Sequence, residues 1–321
     1  MSVKNRKLDK KKVSIVIPVF NEEGNIKALI ANLYFVFKSL HNIDFKIIFV
    51  DDGSTDETLP ILISFSESKS DIFYISFSRN FGKDNAIVAG LKASDSDAVI
   101  TMDADLQHSP SLIPDLINWW QQGYDVVYAY RKEDNSHASF FARIRSKLFY
   151  KIINSFADVQ MENGISDFKL LDKKVVNTIN KLPEDRPFLR GLVKWVGYRQ
   201  KALEYEPGER FAGTTKYNLS NLIKLGTQGL TSFSTKPLTF AIYLGFFFAA
   251  SSLLYFPYVM LSLYFHVERP GWASVIVTIV FFGGLQLMIL GIIGLYLGKT
   301  FLQGKNRPRY IIQSSDIETA K

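Results

Sequence analysis

The chain has 321 residues, no cysteine and a formal net charge of +7 at pH 7. The absence of cysteine excludes disulfide bonds and any chemistry that depends on a thiolate. The positive charge suits substrates that carry phosphate groups or an anionic lipid surface, although it would also fit a solvated basic face. Nucleic acid is a weaker interpretation of this charge, and we expect no nucleic-acid partner.

The first part of the chain alternates short β-branched runs with helical patterns. A basic segment at residues 1–12 precedes them, and no apolar stretch of signal-peptide length follows it. We therefore expect this domain to stay in the cytoplasm. The predicted strands are Val13–Val19, Phe45–Val50, Ile72–Phe77, Ala98–Met102 and Val126–Ala129. Between the first two, Ile26, Leu29 and Leu33 lie on one stripe of an amphipathic helix. This alternation is typical of an α/β fold with a mostly parallel sheet covered by helices.

Polar clusters follow four of the predicted strands, at the ends where open parallel sheets bind their ligands. The clusters are Asn21-Glu22-Glu23, Asp51-Asp52, Arg79-Asn80 and Asp103-Ala104-Asp105. One such cluster could be a turn, and Asp51-Asp52 could also cap the next helix. Four of them at one edge of a sheet indicate a binding site, where Asp51 or Asp52 could accept hydrogen bonds from a base or ribose.

Asp103 and Asp105 are separated by one residue and follow a strand that the sequence predicts to be buried. Two desolvated carboxylates would repel each other unless a cation lay between them. Mg²⁺ prefers oxygen ligands and is commonly held by one or two carboxylates together with substrate phosphates. The pattern therefore predicts a Mg²⁺ or Mn²⁺ site, to which the amide oxygen of Gln107 could contribute.

Beyond Arg131 the pattern changes to a basic aromatic helix, Phe140–Ile153, which carries Arg143 and Arg145. Its cations could meet a lipid phosphate near a membrane, or they could belong to a surface helix packed on the sheet. The predicted elements that follow are an acidic loop at Asp158–Asp167, helices near Asp172–Leu182 and Phe188–Val196, and a strand at Ala202–Glu206.

Two long runs without a charged residue lie near the C-terminus, from Pro237 to Phe265 and from Trp272 to Gly298. Each exceeds the roughly 20 residues that span a bilayer core as a helix, which predicts two transmembrane helices. Residues 218–231 predict an amphipathic helix at the interface just before them. Lys and Arg are in excess on the outer flanks, and this excess marks the cytoplasmic side. We therefore expect a multi-pass protein of the cell membrane with both termini in the cytoplasm.

Six strings occur in order along residues 13–236: VSIVIPVFNEEGNI, DDGSTDET, RNFGKDNAIVAGL, DADLQHSP, SDFKLLDKK and RFAGTTKYNL. Together they resemble family 2 glycosyltransferases of the GT-A fold, in the branch of dolichol-phosphate mannose synthases and bactoprenol glucosyltransferases. The resemblance implies an α/β nucleotide-sugar-binding domain with a mostly parallel central sheet, followed by interfacial helices and two transmembrane helices. We expect a cytoplasmic catalytic domain at 1–217, a juxtamembrane amphipathic helix at 218–235, a transmembrane hairpin at 236–302 and a cytoplasmic tail at 303–321.

The polar clusters and the resemblance together imply roles for individual residues. The nucleotide-sugar pocket would involve Pro18, Asn21, Glu22, Asp51, Asp52 and Asp103, with Arg79 and Lys83 for anionic groups unless they form a plain basic turn. The metal would be held by Asp103, Asp105 and Gln107. The candidates for binding the acceptor phosphate are Arg131, Arg143, Arg145, Ser146, Arg210 and Lys216. The candidates for catalysis are Asp103, Asp105, Asp158 and Asp167. Where such enzymes often carry an Arg, this chain has Lys169, which lacks the bidentate fork.

The implied reaction is an inverting transfer of a hexose from a nucleotide-sugar donor, with UDP-glucose favoured, onto undecaprenyl or another polyisoprenyl phosphate. A phosphate monoester is largely dianionic at neutral pH and already nucleophilic, so a strong general base is less necessary than for a sugar hydroxyl. The alternatives are a GDP-mannose-dependent mannose synthase and a polysaccharide-forming transferase. A non-enzymatic alternative is a membrane scaffold or lipid-translocating subunit. Glycines in the second apolar run leave room for close helix packing in a homo-oligomer.

Overall fold

The computed structural model describes residues 10–131, 165–184, 187–205, 234–265 and 271–317. These residues belong to two compact units. The first unit contains the described residues up to 205 together with 307–317, and the second contains 234–265 and 271–306. The predicted domain boundaries stay a prediction, and the amphipathic helix predicted at 218–231 lies outside the described residues.

One eight-stranded sheet forms the centre of the first unit. Its strands are β1 (Lys11–Val19), β2 (Ile43–Asp51), β3 (Ile72–Phe77), β4 (Ala98–Thr101), β5 (Val126–Arg131), β6 (Ile165–Asp172), β7 (Gln200–Tyr205) and β8 (Ile312–Ser315). Their order is β7-β5-β6-β4-β1-β2-β3-β8. The pairs β1–β2, β1–β4, β2–β3 and β5–β7 are parallel, whereas β6 and β8 run antiparallel to their neighbours. The predicted mostly parallel sheet and its first five strands are confirmed.

Helices pack on this sheet through apolar faces. They are α1 (Ile26–Phe37), α2 (Thr58–Ser68), α3 (Lys83–Ala93), α4 (Ile113–Gln121), α5 (Lys173–Lys181) and α6 (Leu189–Trp195), with a 3₁₀ turn at Pro110–Leu112. Leu29 and Leu33 of α1 are fully buried in one core with Ile15 and Ile17 of β1. Burying each such side chain contributes about 1.5–3 kcal/mol. Apolar packing therefore fixes the body of the sheet and leaves the polar residues at the strand ends.

Strand β6 differs from the acidic loop expected at Asp158–Asp167, because the last residues of that range begin the strand. It lies between β4 and β5, antiparallel to both. Asp167 and Lys169 interrupt the apolar run Phe168, Leu170 and Leu171, yet all five side chains are buried. The strand is stable in the core because its charged side chains find buried partners, which a local sequence pattern does not reveal.

The C-terminal segment, described from the sequence only as a tail, contributes β8 to the central sheet. β8 pairs antiparallel with β3, and the side chain of Asp316 accepts a hydrogen bond from the backbone N–H of Tyr74 at 2.7 Å. The ring of Tyr310 stacks on Phe77, with 4.9 Å between the ring centroids. The end of the described chain is therefore part of the first unit.

The described residues of the second unit form two long helices, α7 (Lys236–Tyr264) and α8 (Trp272–Gly304). Within the described residues, one helix is long and apolar enough to cross a membrane, Ser274–Gly304 in α8. For α7, only the shorter apolar stretch Lys236–Phe248 is found. The prediction of two transmembrane helices is therefore not confirmed, although both predicted runs are helical.

Candidate active site

Three of the four strand ends that the sequence singled out meet, together with the start of α3, around one cavity of about 210 Å³. The cavity is lined by Pro18, Val19, Phe20, Glu22, Asp52, Lys83, Asp103, Ala104 and Asp105. These residues follow β1, β2 and β4, and Lys83 begins α3 after β3. Because parallel strands end at the same edge of the sheet, residues far apart in sequence come together here.

The cavity has an excess of negative charge. Among the described residues, four carboxylates line it, from Glu22, Asp52, Asp103 and Asp105, against the one ammonium group of Lys83. Burial raises the pKa of Glu22, a hydrogen bond from Asn25 opposes this, and the nearby Asp105 and Asp103 raise the pKa further. Such a cavity attracts a cation before it can accept an anionic ligand.

Asp51 and Asp52 have different surroundings, although the sequence could not separate their roles. Asp51 is 1% exposed and accepts hydrogen bonds from the Ser76 hydroxyl at 2.8 Å and the Ser54 backbone N–H at 3.0 Å. Asp52 lines the cavity and accepts the backbone N–H groups of Phe81 and Gly82, at 2.6 and 2.9 Å. Burial raises the pKa of Asp52 despite these two donors. The geometry favours Asp52 for ligand contact and gives Asp51 a structural role.

Besides Asp51, three predicted donor-site or metal residues do not line the cavity. Asn21 accepts the backbone N–H of Thr55 at 2.8 Å and so joins the ends of β1 and β2. The guanidinium of Arg79 lies 4.0 Å from the centre of the Phe81 ring. Gln107 donates its backbone N–H to Asp105 at 3.1 Å. Their roles toward a ligand stay predictions.

The turn that follows β4 presents Asp103 and Asp105 to the cavity. Leu106 has a φ of 60°, in the left-handed region that is unusual for a side chain of its kind. Among the described residues, no group of three or more His, Cys, Asp or Glu side chains could hold a metal. Two carboxylates are nevertheless a donor set that fits Mg²⁺ or Mn²⁺ when substrate phosphates complete the coordination. Asp103 and Asp105 therefore fit a metal that is shared with a ligand.

A network of charges extends from the cavity into the core. The Lys83 ammonium lies 2.6 Å from an Asp103 carboxylate oxygen and 2.7 Å from one of Asp167. Arg190 donates two hydrogen bonds to Asp167, each of 2.8 Å. Burial acts to raise the pKa of Asp167, but Lys83 and Arg190 outweigh it and hold the pKa well below its ordinary value. The structure therefore connects Asp167 to the same site as Asp103.

Lys169 is only 4% exposed, and burial lowers the pKa of its ammonium group. It is therefore a core cation in the Asp167 network rather than a surface cation. Its burial and the missing bidentate fork both disfavour a phosphate-binding role for Lys169.

Several predicted acceptor and catalytic residues lie outside the described residues. They are Asp158, Arg143, Arg145, Ser146, Arg210 and Lys216. Arg131 is the last residue of β5, and its side chain is not described. Conversely, sequence reasoning missed Arg190, His108 and Ser166. Arg190 gave no signal, because its partner Asp167 is distant in sequence. His108 stands in the metal-turn string itself and could have been noticed there.

Comparison with known proteins agrees with this geometry. The model of "Glycosyl transferase family 2" matches residues 14–179. This chain belongs to that family. It is therefore a glycosyltransferase, and the predicted GT-A nucleotide-sugar-binding fold is confirmed together with the resemblance.

Relatives match almost the entire chain. This chain is 42% identical over 301 residues to an uncharacterized glycosyltransferase of Synechocystis sp., and the match covers 94% of each chain. It is 39% identical over 305 residues to the bactoprenol glucosyl transferase of Shigella phage SfII, covering 95% of this chain and 98% of that protein. A solved mannosyltransferase from Pyrobaculum calidifontis, in complex with GDP-Man and Mn²⁺, superposes with a TM-score of 0.47 at 15% identity, covering 69% of this chain and 62% of that one.

Proposed function

We propose that this glycosyltransferase moves glucose from UDP-glucose onto the phosphate of a polyprenyl phosphate, with inversion at the anomeric carbon. The observation that carries the proposal is the similarity to bactoprenol glucosyl transferases, over 95% of this chain and 98% of the phage protein. A match of that extent includes the C-terminal helices as well as the catalytic unit. An enzyme that glucosylates a lipid carrier uses both parts.

The donor would occupy the cavity at the strand ends. Asp52, oriented by two backbone N–H groups, would accept hydrogen bonds from the base or ribose. Pro18 and Glu22 line the same cavity. The diphosphate would lie toward Asp103 and Asp105, where Lys83 is 42% exposed and supplies a positive charge. Asn21 and Arg79 would support the donor site from its rim.

A divalent metal at Asp103 and Asp105 would resolve the charge conflict between an acidic cavity and a diphosphate. When bound, Mg²⁺ or Mn²⁺ would offset the charge of the departing nucleoside diphosphate. Gln107 is a further candidate ligand, because it follows Asp105 in the same turn. The Lys83 ammonium group would then contact both Asp167 and the donor phosphates.

The acceptor phosphate would act as the nucleophile without a strong general base, because it is already largely dianionic at neutral pH. Asp167 is poorly suited to take a proton, since Lys83 and Arg190 hold its pKa well below the ordinary value. Its role would be to orient these cations beside the acceptor. The remaining proposed acceptor residues are Asp158, Arg131, Arg143, Arg145, Ser146, Arg210 and Lys216.

Membrane attachment is part of the proposal, with α8 as a spanning helix. Its apolar side chains are exposed, with Val280 at 68% and Leu287 at 71%. A helix with so many exposed apolar side chains is stable in a bilayer and unfavourable in water. The glycines of α8 could also support packing in a homo-oligomer.

The strand β8 supports a second crossing. It follows α8 in the chain and pairs with β3 of the catalytic sheet. A chain that leaves this sheet, crosses a bilayer through α8 and returns to the same sheet must cross an even number of times. α7 is 29 residues long, more than the roughly 20 that a span needs. We therefore infer a two-helix hairpin with the catalytic unit and both termini in the cytoplasm.

The decisive test is a donor screen with the purified full chain, undecaprenyl phosphate and Mn²⁺, followed by mass spectrometry of the lipid. We expect a singly glucosylated lipid phosphate with UDP-glucose. Mannosylated lipid formed only from GDP-mannose would support the mannose synthase instead. A polymer would indicate a polysaccharide-forming transferase. No lipid product and no donor hydrolysis with any nucleotide-sugar would contradict the enzymatic proposal and favour a scaffold.

A further inference from the structure

One buried side chain connects the turn that carries Asp103 to the strand that carries Asp167. His108 is 6% exposed and follows Asp103 and Asp105 in the turn after β4. Its Nδ1 accepts the backbone N–H of Asp103 at 3.2 Å. Its Nε2 lies 2.5 Å from the hydroxyl oxygen of Ser166, the residue that precedes Asp167.

These contacts determine which nitrogen of the ring carries a proton. A backbone N–H can only donate, so Nδ1 must accept and carries no proton. In the neutral ring the proton is then on Nε2, which donates to Ser166. The same hydroxyl oxygen also accepts the backbone N–H of Phe168 at 3.1 Å. The hydroxyl of Ser166 is thus held from two sides.

The imidazole ring itself has little freedom to rotate. It stacks on Phe168, with 5.4 Å between the ring centroids and 22° between the planes. The ring therefore keeps its two nitrogens pointed at two different elements. Lys83 forms a second link between the turn after β4 and β6, because it contacts both Asp103 and Asp167.

We propose that His108 is a positioning residue with two separable roles, one at each ring nitrogen. Nδ1 holds the main chain of Asp103 where its carboxylate meets a divalent metal. Nε2 holds the start of β6, and with it Asp167, where the acceptor phosphate arrives. This inference rests on the proposed function, since it assumes a metal-assisted transfer to a phosphate acceptor.

Two amide substitutions separate the roles. In His108→Asn, the side-chain oxygen can replace Nδ1 as the acceptor for Asp103, whereas the contact with Ser166 is lost. In His108→Gln, the amide nitrogen can reach Ser166, whereas the acceptor for Asp103 is lost. Ser166→Ala removes the same contact between Nε2 of His108 and the Ser166 hydroxyl, so it should have the same effect as His108→Asn.

The first readout is Mn²⁺ binding in the presence of UDP, measured by electron paramagnetic resonance without any acceptor. We expect His108→Gln to weaken Mn²⁺ binding by about 10–100-fold, the range for residues that orient metal ligands. His108→Asn and Ser166→Ala should bind Mn²⁺ nearly as the wild type does. In transfer assays these two should instead raise KM for polyprenyl phosphate or lower kcat, with KM for the donor little changed.

Ser14→Ala is the matched control, because it removes a buried 2.7 Å hydrogen bond to Ser96 elsewhere in the sheet. It should lower the melting temperature without changing Mn²⁺ binding or the kinetic pattern. Wild-type Mn²⁺ binding by His108→Gln, no detectable Mn²⁺ binding by the wild type, or losses that merely follow melting temperature would overturn the proposal. If the Mn²⁺ pattern holds but the wild type forms no glucosylated lipid, the proposed acceptor is wrong and the role of Nδ1 stands.

Discussion

At the scale of single residues, the site is a set of charges that stabilise one another. Lys83 is shared between Asp103 and Asp167, and Arg190 adds a bidentate contact to Asp167. Removing one member of such a buried group leaves its partner with an uncompensated charge. The stability lost in this way exceeds the net stability that the intact pair contributes. To test function, a carboxylate is therefore best replaced by the amide of the same shape at the exposed side of the network, where the change affects stability least.

Asp105 is the appropriate position to test the metal, because its carboxylate lines the cavity in the turn after β4. We expect Asp105→Asn to lower the rate of transfer by about 100-fold or more, since a charge that stabilises the leaving group is lost. The rate of lipid glucosylation measures this, with unfolding followed separately. Asp115→Asn makes the same chemical change on the exposed side of α4 and should have wild-type activity. Full activity of Asp105→Asn, or of the wild type in excess chelator, would exclude the metal.

Asp84, beside Lys83 in the first turn of α3, gives a pH-dependent prediction. Burial, followed by the charge of Asp167, raises the pKa of Asp84 to about 6. An unfolded Asp titrates near pH 3.9, so the folded protein binds this proton more tightly. Its contribution to stability is fully present below about pH 4 and is lost as the pH rises through about 6.

Asp84→Asn cannot ionise, so its stability relative to the wild type should increase by about 1–2 kcal/mol between pH 5 and pH 8. Unfolding by urea at the two pH values measures the difference. The control is Asp95→Asn, because a hydrogen bond from Lys173 lowers the pKa of Asp95 and no such gain is expected above pH 5. A difference that does not change with pH would contradict the prediction.

At the scale of elements, close packing of α3 on β1 sets the position of Lys83. Gly90 in α3 faces Val16 in β1, and a Cβ on Gly90 would lie 2.3 Å from a methyl group of Val16. A larger residue at position 90 must displace the Val16 side chain or push the helix away from the strand. The first residue of α3 is Lys83, so a displacement of the helix would reach the cavity at the strand ends.

Gly90→Ala should destabilise the first unit by about 1–3 kcal/mol through overpacking, although alanine favours a helix. It should also weaken donor binding, because Lys83 moves with α3. Val16→Ala removes the opposing methyl groups, so the double variant should lose less stability than the two single effects add up to. Unfolding of the four proteins in a double-mutant cycle measures this coupling. Strict additivity would show that the two residues do not compete for space.

At the scale of the whole molecule, connectivity links α7 and α8 to the central sheet at both ends. The chain enters α7 after the catalytic unit, and β8 returns it to that unit after α8. The basic residues Lys299, Lys305 and Arg307 follow the apolar part of α8, as expected for a cytoplasmic flank. Strand pairing and charge distribution therefore make the same prediction about topology by independent physical arguments.

Cysteine labelling tests this topology directly, because the chain contains no native cysteine. We expect a membrane-impermeant thiol reagent to label Val267→Cys in intact cells. Gln313→Cys, at an exposed position in β8, should be labelled only after the membrane is permeabilised. Labelling of Val267→Cys only from the cytoplasmic side would exclude the hairpin, and labelling of Gln313→Cys in intact cells would place β8 outside.

The alternation of short apolar strands with amphipathic helices was sufficient to predict the first five strands and α1, because these patterns are local and repeat with the period of the element. The carboxylates at the strand ends were predicted to meet for the same reason, since parallel strands share one edge. Glu22, Asp52, Lys83, Asp103 and Asp105 do line one cavity. The family resemblance rested on these same ordered strings.

Tertiary structure decided what depends on partners distant in sequence. In β6 the buried Asp167 meets Lys83 and Arg190, and β8 pairs with the open edge of β3. Asp51 and Asp52 are adjacent in sequence, yet strand geometry turns one toward Ser76 and the other toward the cavity. A local pattern reports the period and polarity of a segment. It carries no information on which buried charge or open strand edge will lie opposite, and those contacts determined the rest of this site.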